Sequence, residues 1–238
     1  MEALNIKGVI FDYGGTIDSG GEHWSEVIYR GWKKAGLDVE KSLFRDAYVF
    51  AERELAKVRH IMPDDDFLSL LQKKMRIELS YLVENSDIKI ADIDEKADEI
   101  AGYCDDAARG WVERAKPVLQ KLHARYPMVL VSNFYGNVEA VLRSYGLLEY
   151  FKEIVESAVV GVRKPDPEIF RLGVRALGLP AEEIVVIGDS YKKDIEPAEK
   201  AGCKAIWIKG KGWTDEEDAI EYPRIIKSLE ELPAILGV

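Results

Sequence analysis

Polar side chains that can do chemistry follow several short apolar runs of this sequence. Asp12 follows the first run, Ser132 and Asn133 follow the second, and Asp189 follows a later one. Lys164 lies in the loop after a weaker run. The set offers two carboxylates, an ammonium group, a hydroxyl and an amide. Carboxylate oxygens of this kind bind Mg²⁺, which usually also keeps several waters and a substrate phosphate.

These residue types suit phosphoryl transfer. The carboxylate of Asp12 can attack phosphorus and form an aspartyl-phosphate. Lys164 would neutralise charge on the nucleophile and on the phosphate, while Ser132 and the backbone amides of residues 14–16 can donate hydrogen bonds to phosphate oxygens. Each position alone is a weak signal, because strands often end in a polar turn residue. Their agreement at several strand ends predicts one shared site.

The apolar runs predict the sheet that would bring these residues together. They are continuous rather than alternating, which is typical of strands buried on both faces of a parallel sheet. Helix-like segments separate the later runs, so we expect right-handed crossovers and a doubly wound, Rossmann-like α/β fold. Ligands bind at the carboxyl ends of such strands. The runs cover residues 6–11, 128–131, 153–155, 183–188 and 204–208.

Helical periodicity predicts four helices within the α/β part of the chain. Glycines that directly follow three of these segments predict the points where those helices end. After residue 208 the chain is expected to form a surface loop, in which the acidic run 215–218 is solvated, and then a short terminal helix that begins at Ser228. The four predicted helices cover residues 117–125, 137–145, 167–177 and 192–201.

The region from about residue 22 to residue 114 has a different pattern. Apolar residues recur there at helical spacing in four stripes, and almost nothing is typical of a strand. Acidic residues at 64–66 and the pair Asp92 and Glu95 suit helix N-termini. Four amphipathic helices joined by short links predict a small bundle. Because this bundle interrupts the α/β pattern after its first strand, we interpret it as an inserted domain.

Composition narrows the classes of function. The chain has 238 residues, a net charge of −10 and an isoelectric point near 5.0, which argues against binding to nucleic acid or to anionic membranes. With 47% hydrophobic and 32% charged residues it has the composition of a folded domain. Two separated cysteines favour neither a disulfide framework nor a zinc site. We expect a soluble cytoplasmic protein. The sequence does not indicate its oligomeric state.

Four motifs, in this order along the chain, resemble those of the haloacid dehalogenase superfamily. The helical insert is similar to that superfamily's type-1 α-helical cap, as in β-phosphoglucomutase-like and phosphoglycolate-phosphatase-like members. The resemblance covers essentially the whole chain, and it implies an α/β core of residues 1–18 and 115–238 with a cap of residues 19–114. The motifs are Asp12-Tyr-Gly-Gly-Thr16, Ser132-Asn133, Lys164-Pro165, and Gly188-Asp189-Ser190 followed by Asp194.

The resemblance implies a role for each motif residue. Asp12 would be the nucleophile and a Mg²⁺ ligand, with the backbone carbonyl of Gly14 and the carboxylate of Asp189 as further ligands. Asp194 would be a supporting acidic residue, and Lys164 would assist catalysis. The residues that contact the phosphate would be Thr16, Ser132, Asn133 and Lys164.

One departure from the family pattern affects the expected activity. Phosphatases of the superfamily usually carry a second Asp two residues after the nucleophile, as general acid and base, whereas this chain has Gly14. Such assistance is worth about 10²–10⁴-fold in rate. We therefore expect a Mg²⁺-dependent phosphatase of a small phosphorylated metabolite whose general acid and base is weakened or relocated. Asp18 and His23 are candidates to replace it, although a turn residue and a helix-start residue are the simpler interpretations.

Three alternatives stay open. A catalytically impaired protein that binds a phosphorylated metabolite would not need to keep Asp12, Lys164, Asp189 and Asp194 together. A dehalogenase needs no proton donor, but family members of that kind typically lack the acidic residue at position 189. A phosphonoacetaldehyde hydrolase-like enzyme would need a Schiff-base lysine in the insert. The sequence does not identify the substrate; the candidates in the insert are Lys41, Lys57, Lys73 and Lys74 for a Schiff base, and Arg53, Arg59 and His60 for an anionic substrate.

Overall fold

The computed structural model describes residues 4–238 and contains a six-stranded sheet. The strands lie in the order β3-β2-β1-β4-β5-β6, and every neighbouring pair is parallel. All residues of β1, β2 and β4 are buried, as their continuous apolar sequences predict. The strands are β1 (Gly8–Phe11), β2 (Met128–Ser132), β3 (Glu153–Glu156), β4 (Ile184–Gly188), β5 (Lys204–Ile208) and β6 (Ile225–Ile226).

The register of the three central strands brings their carboxyl ends level. Phe11 is paired with Leu130 of β2 on one side and with Ile187 of β4 on the other. The amide of Asp12 continues the ladder by donating to the carbonyl of Ile187 at 2.9 Å. Residues that follow β1, β2 and β4 therefore emerge at one edge of the sheet. The predicted α/β fold is confirmed, although the two-residue strand β6 was not predicted.

Four helices lie between β1 and β2 in the chain and form the predicted helical segment. Asp66 caps α3 by accepting from the amide of Ser69 at 2.9 Å, and Asp92 caps α4 by accepting from the amide of Glu95 at 3.0 Å. The four helices are α1 (Trp24–Lys34), α2 (Lys41–Lys57), α3 (Phe67–Glu84) and α4 (Ile93–His123). No helix of residues 4–238 combines the length and the hydropathy needed to cross a membrane.

Helix α4 corrects one prediction. Its 31 residues include the fourth stripe of the insert together with the segment that was expected to start a separate helix at Pro117. Proline usually marks the first turn of a helix, because it has no backbone N–H to donate. Here both halves of α4 are buried along one side, from Ala97 to Val112 and from Ala115 to Leu122, so packing carries the helix through the proline. The helix also crosses the expected border at residue 114.

Shorter helices cover the sheet. The predicted helix over 192–201 divides into a π-helical turn at Tyr191–Ile195 and then α8, because Pro197 cannot donate to the preceding turn. Gly146, Gly178 and Gly202 follow helical segments with positive φ, as predicted. The remaining helices are α5 (Val138–Ser144), α6 (Ser157–Val160), α7 (Glu168–Leu177), α8 (Glu196–Lys200), α9 (Asp215–Asp218) and α10 (Leu232–Leu236).

Candidate active site

The centre of the site is an ammonium group between two carboxylates. Nζ of Lys164 donates to Oδ1 of Asp12 and to Oδ1 of Asp194, each at 2.6 Å, and all three side chains are buried. Asp12 follows β1, Asp194 lies in the π-helical turn after β4, and Lys164 lies in the loop after α6. The second oxygen of Asp194 accepts from the amide of Ser190 at 3.0 Å. Asp194 is thus fully engaged with protein groups.

A third carboxylate completes the cluster. The hydroxyl of Thr16 lies 2.9 Å from Oδ2 of Asp12 and 3.3 Å from Oδ1 of Asp189, and so joins the two. One oxygen from each of Asp12, Asp189 and Asp194 lies within 4.8 Å of the others. The backbone approaches closely here, because a β-carbon on Gly15 would lie 2.4 Å from Cγ of Asp189 and the φ of Gly15 is +96°. A side chain at position 15 would push Asp189 out of the cluster.

The loop that carries Lys164 is held by Asn133. Oδ1 of Asn133 accepts from the amide of Lys164 at 2.9 Å, and Nδ2 donates to the carbonyl of the same residue at 3.1 Å. Ser132 is the buried last residue of β2 and stands next to this brace. The side chains of Asn133 and Thr16 are therefore engaged with other site residues.

Two residues outside the predicted set fix the loop after β4. The indole of Trp207 donates to the backbone carbonyl of Asp189 at 2.6 Å. Oε1 of Glu217, in α9, accepts from the Ser190 hydroxyl and from the Tyr191 amide, each at 3.0 Å. The expectation that the acidic run 215–218 is simply solvated is therefore wrong for Glu217, which the sequence did not identify because its partners lie on a distant loop.

The electrostatics of the cluster favour a bound cation. Burial raises the pKa of Asp12, and the positive charge of Lys164 opposes that shift. Burial, together with the neighbouring Asp194 and Asp12, raises the pKa of Asp189 well above its usual range. Although burial alone would lower it, the pKa of Lys164 is raised by Asp12 and Asp194. Three carboxylates face one ammonium, so the site lacks positive charge, and its hard oxygen donors fit a divalent cation such as Mg²⁺.

Gly14 lies beside open space. A β-carbon at this position would meet no atom within 4 Å, and the φ of Gly14 lies outside the left-handed region. Gly14 lines the same cavity as Asp12 and Asp189. Neither packing nor backbone conformation therefore requires a glycine at position 14.

Asp18 is the nearest alternative acid in the sequence, and it lines the same cavity. Its Oδ1 accepts from the amide of Gly15 at 2.7 Å and from the indole of Trp24 at 3.0 Å. Its Oδ2 is buried and has no hydrogen-bond partner among residues 4–238. Burial raises the pKa of Asp18 to about 7. This carboxyl group can therefore exchange a proton near neutral pH.

His23 also lines the cavity, but it is a poorer proton donor. It is the N-cap of α1, with Nδ1 accepting from the amide of Ser25 at 3.2 Å. Its ring packs on Trp213 with 5.0 Å between centroids. Burial lowers the pKa of His23 to about 3, so the ring is neutral at pH 7. The position at a helix start agrees with the simpler interpretation.

The cluster lines a cavity of about 510 Å³ between the sheet edge and the helices α1–α3. Lys74 in α3 and Glu52 in α2 line its wall, together with Tyr135 from the loop after β2. Neither Glu52 nor Tyr135 was predicted. A signal existed, because Glu52 and Lys74 lie next to the apolar stripes of their helices rather than on the opposite faces.

The other candidates from the insert lie elsewhere. Arg53 and Arg59 are exposed, and His60 lies 3.0 Å from Glu54; these three side chains do not line the cavity. Of the four candidate lysines only Lys74 lines it. Although burial opposes the shift, Glu52 raises the pKa of Lys74 well above its usual range. A Schiff-base lysine needs an unprotonated amine, so Lys74 does not suit that chemistry.

Comparison with known proteins identifies relatives that match part of the chain. The chain is 38% identical over 107 residues to haloacid dehalogenase-like hydrolase domain-containing protein 3 of Danio rerio, covering 45% of this chain and 44% of the relative. It is 39% identical over 92 residues to the glyceraldehyde 3-phosphate phosphatase of Methanocaldococcus jannaschii, covering 38% of this chain and 40% of the relative. These matches span less than half the length of the relatives.

A solved structure shares the whole fold. The magnesium-bound protein YfnB of Bacillus subtilis superposes with a TM-score of 0.62 at 19% identity, covering 98% of this chain and 100% of YfnB. A family model of haloacid dehalogenase-like hydrolases matches residues 6–202. The chain belongs to the haloacid dehalogenase-like hydrolase family.

Proposed function

We propose that this chain is a Mg²⁺-dependent phosphatase that hydrolyses a small phosphorylated metabolite through an aspartyl-phosphate on Asp12. The observation that carries the proposal is the placement of Asp12, which lines the cavity, lies between Lys164 and Thr16, and is close to Asp189. The match to a glyceraldehyde 3-phosphate phosphatase supports the reaction class. Helices α1–α3 would serve as the cap, within the proposed cap segment of residues 19–114.

The reaction follows from the groups around Asp12. In the first step a carboxylate oxygen of Asp12 attacks phosphorus, the ester P–O bond breaks, and the leaving oxygen takes a proton. In the second step water attacks the phosphorus, the bond to Asp12 breaks, and inorganic phosphate leaves as the water gives up a proton. The positive charge of Lys164 favours the ionised form of Asp12 for the first step and orients the side chain. Mg²⁺ held by Asp12, the Gly14 carbonyl and Asp189 would supply charge that neutralises the phosphate oxygens.

Asp18 would take the place of the missing general acid and base. Its unpartnered Oδ2 and its position in the lining of the cavity support this role. Protonated Asp18 would donate to the leaving oxygen, and the resulting carboxylate would accept a proton from the attacking water. Among the other predicted residues, Thr16 and Asn133 would position Asp12 and Lys164, Ser132 would contact the phosphate, and Asp194 would support Lys164.

The test is a panel of phosphorylated metabolites assayed with and without Mg²⁺, alongside p-nitrophenyl phosphate and a 2-haloacid. We expect Mg²⁺-dependent release of phosphate that is lost in Asp12→Asn. Tight binding of a phosphorylated metabolite without turnover would instead favour the impaired binding protein, which the open space at Gly14 supports. Release of halide would overturn the proposal in favour of a dehalogenase.

A further inference from the structure

A second polar cluster faces the cavity and is formed by Glu52, Lys74 and Tyr135. The ammonium of Lys74 forms an ion pair with Oε1 of Glu52, and the hydroxyl of Tyr135 lies 3.0 Å and 3.1 Å from the two oxygens of Glu52. Lys74 also lies over the ring of Tyr48, 4.2 Å from its centroid. These contacts join α2, α3 and the loop after β2. They fix the positions of charged atoms on the wall of the site.

The cluster has unused hydrogen-bonding capacity on its cavity side. The side chain of Glu52 is 36% exposed, whereas that of Lys74 is 5% exposed. Because Glu52 lines the cavity, a ligand there can reach its carboxylate. An ionised carboxylate has about four acceptor positions and an ammonium three donors, and the contacts above use only part of each. A ligand group that both donates and accepts hydrogen bonds could use the free positions of Glu52 and of Lys74.

The charge of the cluster selects the kind of group. Lys74 lowers the pKa of Glu52 although burial opposes the shift, so both partners of the ion pair are charged. Burial raises the pKa of Tyr48 and of Tyr135, and it raises the pKa of Glu78 behind the pair to about 8, so these groups are neutral at pH 7. The wall carries one positive and one negative charge. Because the two charges cancel, the pair as a unit offers no net attraction to a ligand ion of either sign.

The neighbouring side chains favour a carbon skeleton beside those polar atoms. Apolar groups from α1, α2 and α3 surround the cluster along the same wall, among them Ile28, Leu55 and Leu71. A polyhydroxylated chain or ring matches this pattern, since its hydroxyls donate and accept while its C–H surface contacts apolar side chains. Two exposed cations also line the cavity. Arg163 directly precedes Lys164 in the sequence, and Lys193 directly precedes Asp194.

We propose that Glu52, Lys74 and Tyr135 form the specificity site for an uncharged, hydroxyl-rich organic group, so that the substrate is a sugar or polyol monophosphate. This inference rests on the proposed phosphatase function. Glu52 would accept from one hydroxyl, and Lys74 would donate to it or to its neighbour. A hydrogen bond to a charged group corresponds to roughly 10–100-fold in affinity.

The first experiment measures binding and does not require turnover. In an Asp12→Asn background with Mg²⁺, titration calorimetry compares glucitol 6-phosphate with hexyl phosphate, which has the same number of carbons and no hydroxyls. We expect glucitol 6-phosphate to bind at least tenfold more tightly, and Glu52→Gln to reduce that ratio on the order of tenfold or more. Equal affinity for the two esters, or an unchanged ratio in Glu52→Gln, would overturn the inference.

Matched variants separate recognition from folding. Glu54→Gln makes the same chemical change two residues away in α2, at a side chain that contacts His60 outside the cavity, and it should leave the ratio unchanged. Tyr135→Phe removes one hydroxyl from the cluster. It provides a second measurement of the affinity ratio if Glu52→Gln is unstable. The failure of the phosphatase proposal is seen separately, as an absence of turnover of every ester by the wild-type chain while the binding preference persists.

Discussion

Nζ of Lys164 lies 2.6 Å from Oδ1 of Asp12, although 152 residues separate them in the chain. The same ammonium holds Asp194 at an equal distance, and all three side chains are buried. Removal of the ammonium therefore leaves two buried carboxylates without compensation.

The variant Lys164→Met should lower the free energy of unfolding by roughly 3–5 kcal/mol, the usual cost of breaking a buried ion pair. Without Lys164, the pKa of Asp12, which burial already raises, rises further in the folded state because the neighbouring Asp194 disfavours its charged form. A raised folded-state pKa contributes stability at low pH that is lost as pH rises. Urea unfolding without Mg²⁺ should show a larger deficit at pH 8 than at pH 5. An equal deficit at both would contradict this account.

The metal site is tested by Asp189→Asn. Asp189 contacts Thr16 at 3.3 Å, and its carboxylate is less engaged with protein donors than that of Asp194. We expect calorimetry to show Mg²⁺ binding weakened by at least tenfold, with the fold retained by circular dichroism. Unchanged Mg²⁺ affinity in a folded variant would remove Asp189 from the ligand set.

Gly14→Asp tests the general acid that the resemblance predicts at this position. The β-carbon meets open space and the backbone can hold an L-residue, so the variant should fold and should keep the carbonyl of residue 14 in place. We expect kcat/KM for alkyl phosphates to rise about tenfold or more, within the range of general acid catalysis. p-Nitrophenyl phosphate should gain little, because its leaving group hardly needs a proton. Equal gains on both substrates would show that proton donation is not the limiting defect.

Asp18→Asn tests the relocated acid through the pH profile. Burial raises the pKa of Asp18 to about 7, so the acid form is lost as pH rises through that value. In the wild type, kcat for alkyl phosphates should fall above about pH 7, and the variant should lose this limb along with about 10²–10⁴-fold of the rate. A variant whose rate falls equally on p-nitrophenyl phosphate would point to a structural role.

The same substitution has a consequence for stability. Unfolded Asp titrates near a pKa of about 3.9, so between about pH 4 and pH 7 the folded chain holds a proton that the unfolded chain has lost. The contribution of Asp18 to stability is therefore lost as pH rises through this window. Urea midpoints at pH 5 and pH 8 should differ less in Asp18→Asn than in the wild type.

The α/β fold and the grouping of Asp12, Lys164 and Asp189 were accessible from the sequence for a physical reason. A strand that is buried on both faces has a continuous apolar sequence. Parallel strands place their carboxyl ends at the same edge of the sheet, so no other information is needed to predict that their ends meet. The residue at which each apolar run ends therefore predicts which side chains lie at that edge of the sheet. The predicted roles of Gly14 and Asp194 came from the resemblance to a known family, because the ends of the apolar runs alone do not indicate them.

The wall formed by Glu52 and Tyr135 was not accessible in that way. Helical periodicity shows which face of α2 or α3 is buried, but not which neighbour that face meets. Glu52 and Tyr135 are 83 residues apart in the chain. Their contact depends on how the helical bundle packs over the sheet, which the local sequence pattern does not indicate. Continuation of α4 through Pro117 was missed because local proline chemistry and tertiary packing favour opposite outcomes.

That continuity has a mechanical consequence. At about 1.5 Å of rise per residue, the 31 residues of α4 form a lever roughly 46 Å long that extends from the bundle into the α/β part. Pro117 leaves the carbonyl of Glu113 without its helical N–H donor, so the lever is softest at that turn. A bend between the two halves of α4 is therefore expected at this turn rather than elsewhere along the helix.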